Sequence, residues 1–255
     1  MPSSILRNRP LHERYGPEAA SVFDAEERRR FYGPDGRPTD PERLNWELLY
    51  RLEPALYERL IAGEHIHPGM VQWLPAQSAR VLELGAGGGR LTMQLVPRCR
   101  ELIATDPALP LMSLLHRKLS AAGVCNVQCA RAFFDSVPVA TSTCNVVISC
   151  SAFSARTERD PEECLREMER CCVPGGMIVV VWPEDTGWLE HHGFGRVTFD
   201  GDLAVDFGTM REALALTRIF YPEAVDAVRR GGSATIPYDV LGMHPPRELC
   251  WRTAD

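Results

Sequence analysis

Apolar residues along this chain take three successive patterns, and each predicts a different kind of element. Between residues 41 and 62 leucine returns at every fourth position, at Leu44, Leu48, Leu52, Leu56 and Leu60. That spacing places one apolar stripe on a helix. Asp40 supplies an N-cap, Pro41 sits at the first helical position and Gly63 closes the stretch, while Pro54 predicts a kink or a division. From residue 79 short continuous apolar runs take over, which predict buried strands over 79–84, 101–105, 124–130, 145–150 and 177–182. Helical patterns over 89–97, over 109–122 and from Asp160-Pro161 fill the gaps, and Pro174-Gly175-Gly176 stops the last of them. Past residue 190 the segment GRVTFDGDLAVDFG alternates apolar and polar positions around Asp200-Gly201-Asp202, a hairpin signal. Helices over 209–220 and 222–230 and a final strand over 248–253 complete the pattern. Residues 1–40 read as irregular, with a turn-rich FYGPDGRPTD.

Strands that are continuous in apolar character and alternate with helices predict a doubly wound, mostly parallel α/β sheet. The chain has 255 residues, enough to bury one full core with a small appendage. The expected division is an N-terminal helical lid over 1–70 and a main domain over 71–255, with an insertion at about 188–245.

Net charge is −6, which argues against broad binding of a phosphate backbone and for no nucleic-acid partner. The dense basic run Arg28-Arg29-Arg30 follows Glu26-Glu27, the pattern of an ion-paired, solvated helix face. No apolar stretch reaches the ~18 residues that span a bilayer, so no membrane association is expected. The first residues lack the apolar core of a secretion signal, and nine cysteines then read as free thiols of a reducing, cytoplasmic setting. Cys125 and Cys129 bracket a predicted strand rather than a zinc knuckle, and no metal site is expected.

The densest chemistry lies in ARVLELGAGGGRLT, residues 79–92. A strand, a glycine turn and a helix in that order build a cradle in which a ligand meets main-chain N–H groups. A dinucleotide fingerprint needs G-x-G-x-x-G, but after Gly85 and Gly87 the third position holds Arg90. The register present is E-x-G-x-G-x-G, made by Glu83, Gly85, Gly87 and Gly89. A carboxylate beside a pyrophosphate is repulsive, whereas beside a zwitterionic amino acid it is welcome. Asp106 ends the second predicted strand, 21 positions beyond Gly85, where an acid can accept both hydroxyls of a ribose.

This loop resembles motif I of the class I S-adenosylmethionine-dependent methyltransferases. Asp106, the strand exit Arg131-Ala132-Phe133-Phe134-Asp135 and the segment CCVPGGMIVVVW resemble the other landmarks of that family, across roughly residues 79–183. The resemblance implies a Rossmann-like sheet of about seven strands, mostly parallel with an antiparallel end, and S-adenosylmethionine as cofactor. It implies a cofactor site made of Glu83, Gly85, Ala86, Gly87, Gly89, Asp106, Pro107, Ala132, Phe133 and Ser149. Val137-Pro138 stands where relatives carry Leu-Pro after an acid, and Phe133 occupies the acid's place. The adenine amine then falls to Asp135, or adenine stacks on Phe133 or Phe134.

The fourth strand exits through Ser149-Cys150-Ser151-Ala152-Phe153, without the [DNS]-P-P-[YFW] motif of DNA-amine methyltransferases. With the acidic charge, this points to a small-molecule acceptor, in the style of the methyltransferase type 11 group with its quinone and natural-product enzymes. Candidate bases are His191, His192 and Tyr15, with His12 beside Tyr15. Two other readings remain: an NAD-dependent oxidoreductase on the same fold, and a non-catalytic methyltransferase-like binding subunit.

Overall fold

The five apolar runs between residues 79 and 182 form the parallel body of a seven-stranded sheet in the computed structural model, which describes residues 11, 14–156 and 158–255. His12 lies outside the described residues. The sheet's strands are β1 (Arg80–Leu84), β2 (Glu101–Thr105), β3 (Val127–Ala130), β4 (Cys144–Cys150), β5 (Cys172–Val181), β6 (Gly195–Thr198) and one near the C-terminus. With β7 (Ala204–Asp206) and β8 (Thr235–Pro237) numbered between, that last strand is β9 (Glu248–Thr253). The order is β3-β2-β1-β4-β5-β9-β6. β1 to β5 pair in parallel, and β9 runs antiparallel between β5 and β6. The expected sheet, about seven strands with an antiparallel end, is the one observed.

This sheet belongs to one compact unit, Ile66–Gly201 with Pro246–Asp255. Its core is apolar on both sheet faces: Leu82, Val147, Ile178 and Val179 are fully buried. After α1 (Ala25–Phe31), α2 (Pro41–Leu52) and α3 (Pro54–Ile61) earlier in the chain, helices α4 (Pro68–Trp73), α5 (Thr92–Leu95), α6 (Leu109–Ala121), α7 (Pro161–Cys171) and α8 (Thr186–His191) belong to it. The strand order reverses between β1 and β4, so a crevice is expected outside their carboxyl ends.

The second unit joins the described residues of Met1–His65 to Asp202–Pro245, so the expected insertion contributes its residues 202–245 here. It contains α1 (Ala25–Phe31), α2 (Pro41–Leu52), α3 (Pro54–Ile61), α9 (Met210–Phe220), α10 (Val225–Gly231) and the β7–β8 pair. Pro54 divides the leucine-striped helix outright: Glu53, with φ −133° and ψ 51°, leaves the helical region between α2 and α3. Trp46 of α2 packs its ring 5.9 Å from Phe220 of α9 at an interplanar angle of 18°.

Four expectations are corrected. Residues 200–202 do not turn a hairpin: β6 pairs with β9, while β7 pairs with β8 in a separate sheet. The reason is that Phe199 N–H donates to the Arg247 carbonyl, which extends the β9 pairing by one residue, and the chain then leaves the sheet. Residues 1–40 are not irregular throughout, because Asp24 accepts from the N–H groups of Glu26 and Glu27 and Glu27 closes a capping box that starts α1. The third strand begins at Val127, not residue 124, since the Asn126 amide donates to the Val96 and Cys99 carbonyls and holds the approach as a loop. Pro174-Gly175-Gly176 does not separate helix from strand: β5 begins at Cys172, and its pairing with β4 shifts between Cys144 and Val146 to take the irregular residues in.

Candidate functional site

The glycine turn follows β1 directly, and its three glycines have different neighbours. A Cβ on Gly85 would stand 2.3 Å from the Ala152 Cβ, and one on Gly89 would stand 2.4 Å from the Leu115 Cδ1. Both positions are glycine because the protein's own side chains pack against them. Gly87 differs: its φ is +54°, and the nearest atom to a Cβ would be the Leu111 Cδ1 at 3.9 Å. Here the turn faces open space, a cradle that any side chain would fill.

Asp106 leaves the end of β2 and ties this turn in place. Its Oδ2 accepts from Gly87 N–H at 2.9 Å and its Oδ1 from Ala108 N–H at 2.8 Å. The carboxylate is buried, and an ionised carboxylate has about four acceptor sites. Ala86 N–H donates to the Thr105 carbonyl at 2.9 Å, which closes the other side of the turn on β2. Pro107 is half-buried beside it.

Glu83 lies one residue before the end of β1 and is 1% exposed. Thr92, the first residue of α5, donates its hydroxyl to Glu83 Oε2 at 2.7 Å. Burial pushes the Glu83 carboxyl up to about 7; the Thr92 bond and the charge of Arg90 pull it down, and Asp106 pushes it further up. Two carboxylates therefore flank the open glycine, one of them poised to ionise near neutrality. Thr92 escaped the sequence reading because a threonine nine residues after an acid carries no pattern; only the turn folds it back.

At the β3 exit Ala132, Phe133 and Phe134 are all buried. Phe134 packs 5.6 Å from Phe153 and lies 3.5 Å from where a Gly85 Cβ would stand, so it supports the turn from beneath. Arg131 covers the Phe133 ring at 5.7 Å. Ser149, in β4, is fully buried, and its Oγ accepts from Phe153 N–H at 3.2 Å. Glu83, the three glycines, Ala86, Asp106 and Pro107 are thus joined through one turn, while Ala132, Phe133 and Ser149 line the exits of neighbouring strands.

The candidate bases have partners of their own. Tyr15 belongs to the helical unit, where its hydroxyl donates to Glu53 Oε2 at 2.9 Å. Burial, then the Glu53 carboxylate, holds its phenol above the usual range. His192 follows α8 and has both ring nitrogens against oxygen acceptors: Nδ1 is 2.7 Å from the Trp188 carbonyl and Nε2 is 2.9 Å from Glu162 Oε1. Its ring also stacks on Trp188 at 3.8 Å. His191 is exposed and touches His192 edge-on at 5.5 Å.

A reversal of strand order at β1, a glycine turn open at one residue, and acids at the ends of β1 and β2 define a nucleoside-binding α/β fold of the methyltransferase kind. A family model for a methyltransferase domain matches residues 81–176. An uncharacterized methyltransferase of Mycobacterium tuberculosis is 31% identical over 176 residues, covering 67% of this chain and 67% of that one. A demethylmenaquinone methyltransferase of Thermus thermophilus is 28% identical over 172 residues, covering 64% of this chain and 77% of its own length. In fold, the chain resembles the YcgJ protein of Bacillus subtilis, with a TM-score of 0.50, 14% identity and coverage of 72% and 95%. The chain belongs to the class I S-adenosylmethionine-dependent methyltransferases. It is a methyl-transferring enzyme whose cofactor is S-adenosylmethionine.

Proposed function

We propose that this enzyme methylates a small-molecule acceptor, with the methyl donor held by Glu83, Gly85, Ala86, Gly87, Gly89, Asp106, Pro107, Ala132, Phe133 and Ser149. The observation that carries the donor site is Gly87, whose missing side chain opens the turn between two buried carboxylates. Those donors and acceptors suit the group. Asp106 offers a carboxylate to ribose hydroxyls, and Glu83 offers one to an ammonium. Main-chain atoms of the glycine turn meet the amino-acid portion without a clash. The bound group supplies a sulfonium methyl as electrophile. The protein orients that methyl, keeps water out and leaves the acceptor atom in line.

The acceptor class rests on the net charge of −6 and on Ser149-Cys150-Ser151-Ala152-Phe153 in place of a DNA-amine motif. The demethylmenaquinone methyltransferase among the relatives acts, by its name, on demethylmenaquinone, which agrees with this reading. Tyr15 and His192 are committed to oxygen acceptors, which leaves His191 as the candidate proton acceptor. Label transfer from radioactive S-adenosylmethionine decides the class. A panel of reduced quinones and phenols is expected to be labelled and bulk RNA and DNA not; comparable labelling of nucleic acid would remove the proposal.

Replacing Asp106 by Ala should weaken S-adenosylhomocysteine binding by about 1–3 kcal/mol, because charge-assisted bonds to two hydroxyls are lost. Calorimetry reads this directly. An affinity equal to that of the unaltered protein would mean that Asp106 serves only Gly87 and Ala108.

Glu83 gives cofactor binding a pH dependence with a definite sign. Its carboxyl sits at about 7 in the folded protein against 4.5 in the free side chain. Glu83 therefore favours the folded, cofactor-free protein fully below pH 4.5, and that contribution is lost as pH rises through about 7. An ammonium beside it favours the ionised form, so binding below pH 7 must expel a proton and affinity falls with falling pH. Calorimetry at pH 6 in buffers of different ionisation enthalpy should register proton release. E83Q should abolish that release, and its persistence in E83Q would assign it to another group.

A further inference from the structure

The chain passes between the two units three times, after His65, after Gly201 and after Pro245. Within the sheet's own unit all three passages meet at one side chain, His67. Its backbone N–H donates to the Pro246 carbonyl at 3.2 Å, beside the third passage. Its Nε2 lies 3.0 Å from the Asp200 carbonyl, beside the second. Its Nδ1 accepts from Gly69 N–H at 3.1 Å and so caps α4, just after the first. The ring stacks on Phe199 with centres 5.6 Å apart, and Phe199 N–H donates to the Arg247 carbonyl at 2.8 Å. We propose that His67 is a pH-sensitive clasp on these three connections, closed when the imidazole is neutral and opened when it takes up a second proton.

The partners of the ring fix its protonation state. A carbonyl only accepts, so Nε2 carries a hydrogen; a backbone N–H only donates, so Nδ1 is bare. One neutral tautomer satisfies both. A proton on Nδ1 sets one N–H against another and takes the cap from α4. Backbone lies close against both nitrogens: a Cβ on Gly69 would stand 3.1 Å from Nδ1, and one on Gly201 would stand 3.1 Å from Nε2. Solvent still reaches the ring, which is half-buried. With six residues, α4 is short enough to depend on its cap. Its far end is held independently, because the Arg98 guanidinium donates to the carbonyls of Val71, Gln72 and Leu74. Loss of the cap therefore loosens the end of α4 next to the first passage, not the end that leads on to β1. On the segments around the ring, α4 carries no charged group. Glu64 and His65 precede His67, Asp200 and Asp202 stand at the second passage, and His244 and Arg247 stand at the third. The acids among them favour the extra proton and the bases oppose it.

Amide hydrogen exchange tests this on the whole protein without any ligand, each rate being corrected for its intrinsic dependence on pH. From about pH 8 to about pH 5, the range in which an imidazole takes up its proton, protection of the Gly69 and His67 amides should fall by about five- to tenfold, the equivalent of one lost helix cap. Leu82 and Val147 in the sheet core should keep theirs. H67N, whose side-chain oxygen caps a helix without titrating, should protect Gly69 equally at both ends of the range. E83Q should show the same fall as the unaltered protein, which separates the clasp from the Glu83 carboxylate. Protection of Gly69 that does not change with pH in the unaltered protein, or that falls as much in H67N, overturns the inference. A fall shared by Leu82 and Val147 overturns it too, since the whole unit would then be opening. A fall that E83Q abolishes would assign the response to Glu83 and overturn it as well.

Discussion

Replacing Gly87 by Val is expected to reduce S-adenosylhomocysteine affinity by more than about 100-fold while the protein still folds. The clash is with the ligand rather than with the protein. A Cβ at this position would meet no protein atom nearer than 3.9 Å, so the added side chain projects into the open side of the turn. Its folding cost comes from the backbone: a φ of +54° in a residue with a Cβ costs about 1–2 kcal/mol, somewhat more for a β-branched side chain. In a chain of this size that corresponds to a melting temperature lower by about 2–8 °C. Calorimetry and thermal unfolding together check the separation. The comparison with the neighbouring glycines makes it specific. G85A and G89A would drive a methyl group to 2.3 Å from Ala152 and 2.4 Å from Leu115, so they should lose stability first and binding only as a consequence. A G87V protein that binds the ligand within a few-fold of normal would place the cradle elsewhere.

The second large effect lies in the helical unit. Arg51 of α2 is 5% exposed and pairs with Glu27 of α1 at 2.8 Å and with Glu47 of its own helix at 2.5 Å. Its Nη1 also donates to the Glu47 carbonyl at 2.9 Å. The guanidinium lies 5.0 Å from the Phe23 ring and 5.6 Å from the Phe31 ring, so it is stacked as well as paired. Arg51→Met should destabilise the unit by about 3–5 kcal/mol, because it takes the cation from the buried Glu27 carboxylate and leaves buried Glu47 with Arg43 at 3.8 Å. Lysine should rescue only in part, since one ammonium cannot reproduce the fork to both partners. R51M combined with E27L and E47M should recover most of the loss, because the uncompensated charges disappear with the cation. Denaturant unfolding followed by proteolysis within residues 25–53 measures all three. A loss below about 1 kcal/mol for R51M would show that water reaches the carboxylates and that the network contributes little.

The parallel body of the sheet was legible because its strands are buried on both faces. Val81, Leu82, Val147, Val179 and Val180 form continuous apolar runs that no surface strand would carry. The ends of the chain were less legible. The alternation around Asp200-Gly201-Asp202 is real, but alternation says only that a strand is half-buried, not which strand it joins. A carbonyl from Arg247 took the Phe199 N–H and paired β6 with β9 instead. Helix α1 was hidden among prolines and glycines, although its Asp24 cap and Glu27 partner were visible in principle. The same division runs through the site. Glu83, the glycines and Asp106 stand in one register and were read from spacing. Thr92, Ala152 and Leu115 act on them from outside that register, and nothing in their local sequence marks them.

The sequence by itself determined the enzyme class. An acid and three alternate glycines in one seven-residue register after a buried strand, with a second acid at the end of the next strand, fit one ligand chemistry because parallel neighbouring strands bring their ends together. Tertiary structure alone decided which glycine is open and which are closed, since the closing atoms come from Ala152 and Leu115. It also decided that Glu83 ionises near neutrality, because that depends on how completely other strands and helices exclude water from its carboxylate. And it decided that Arg90 rests on Trp182, a contact between residues 92 positions apart that only the folded sheet brings together.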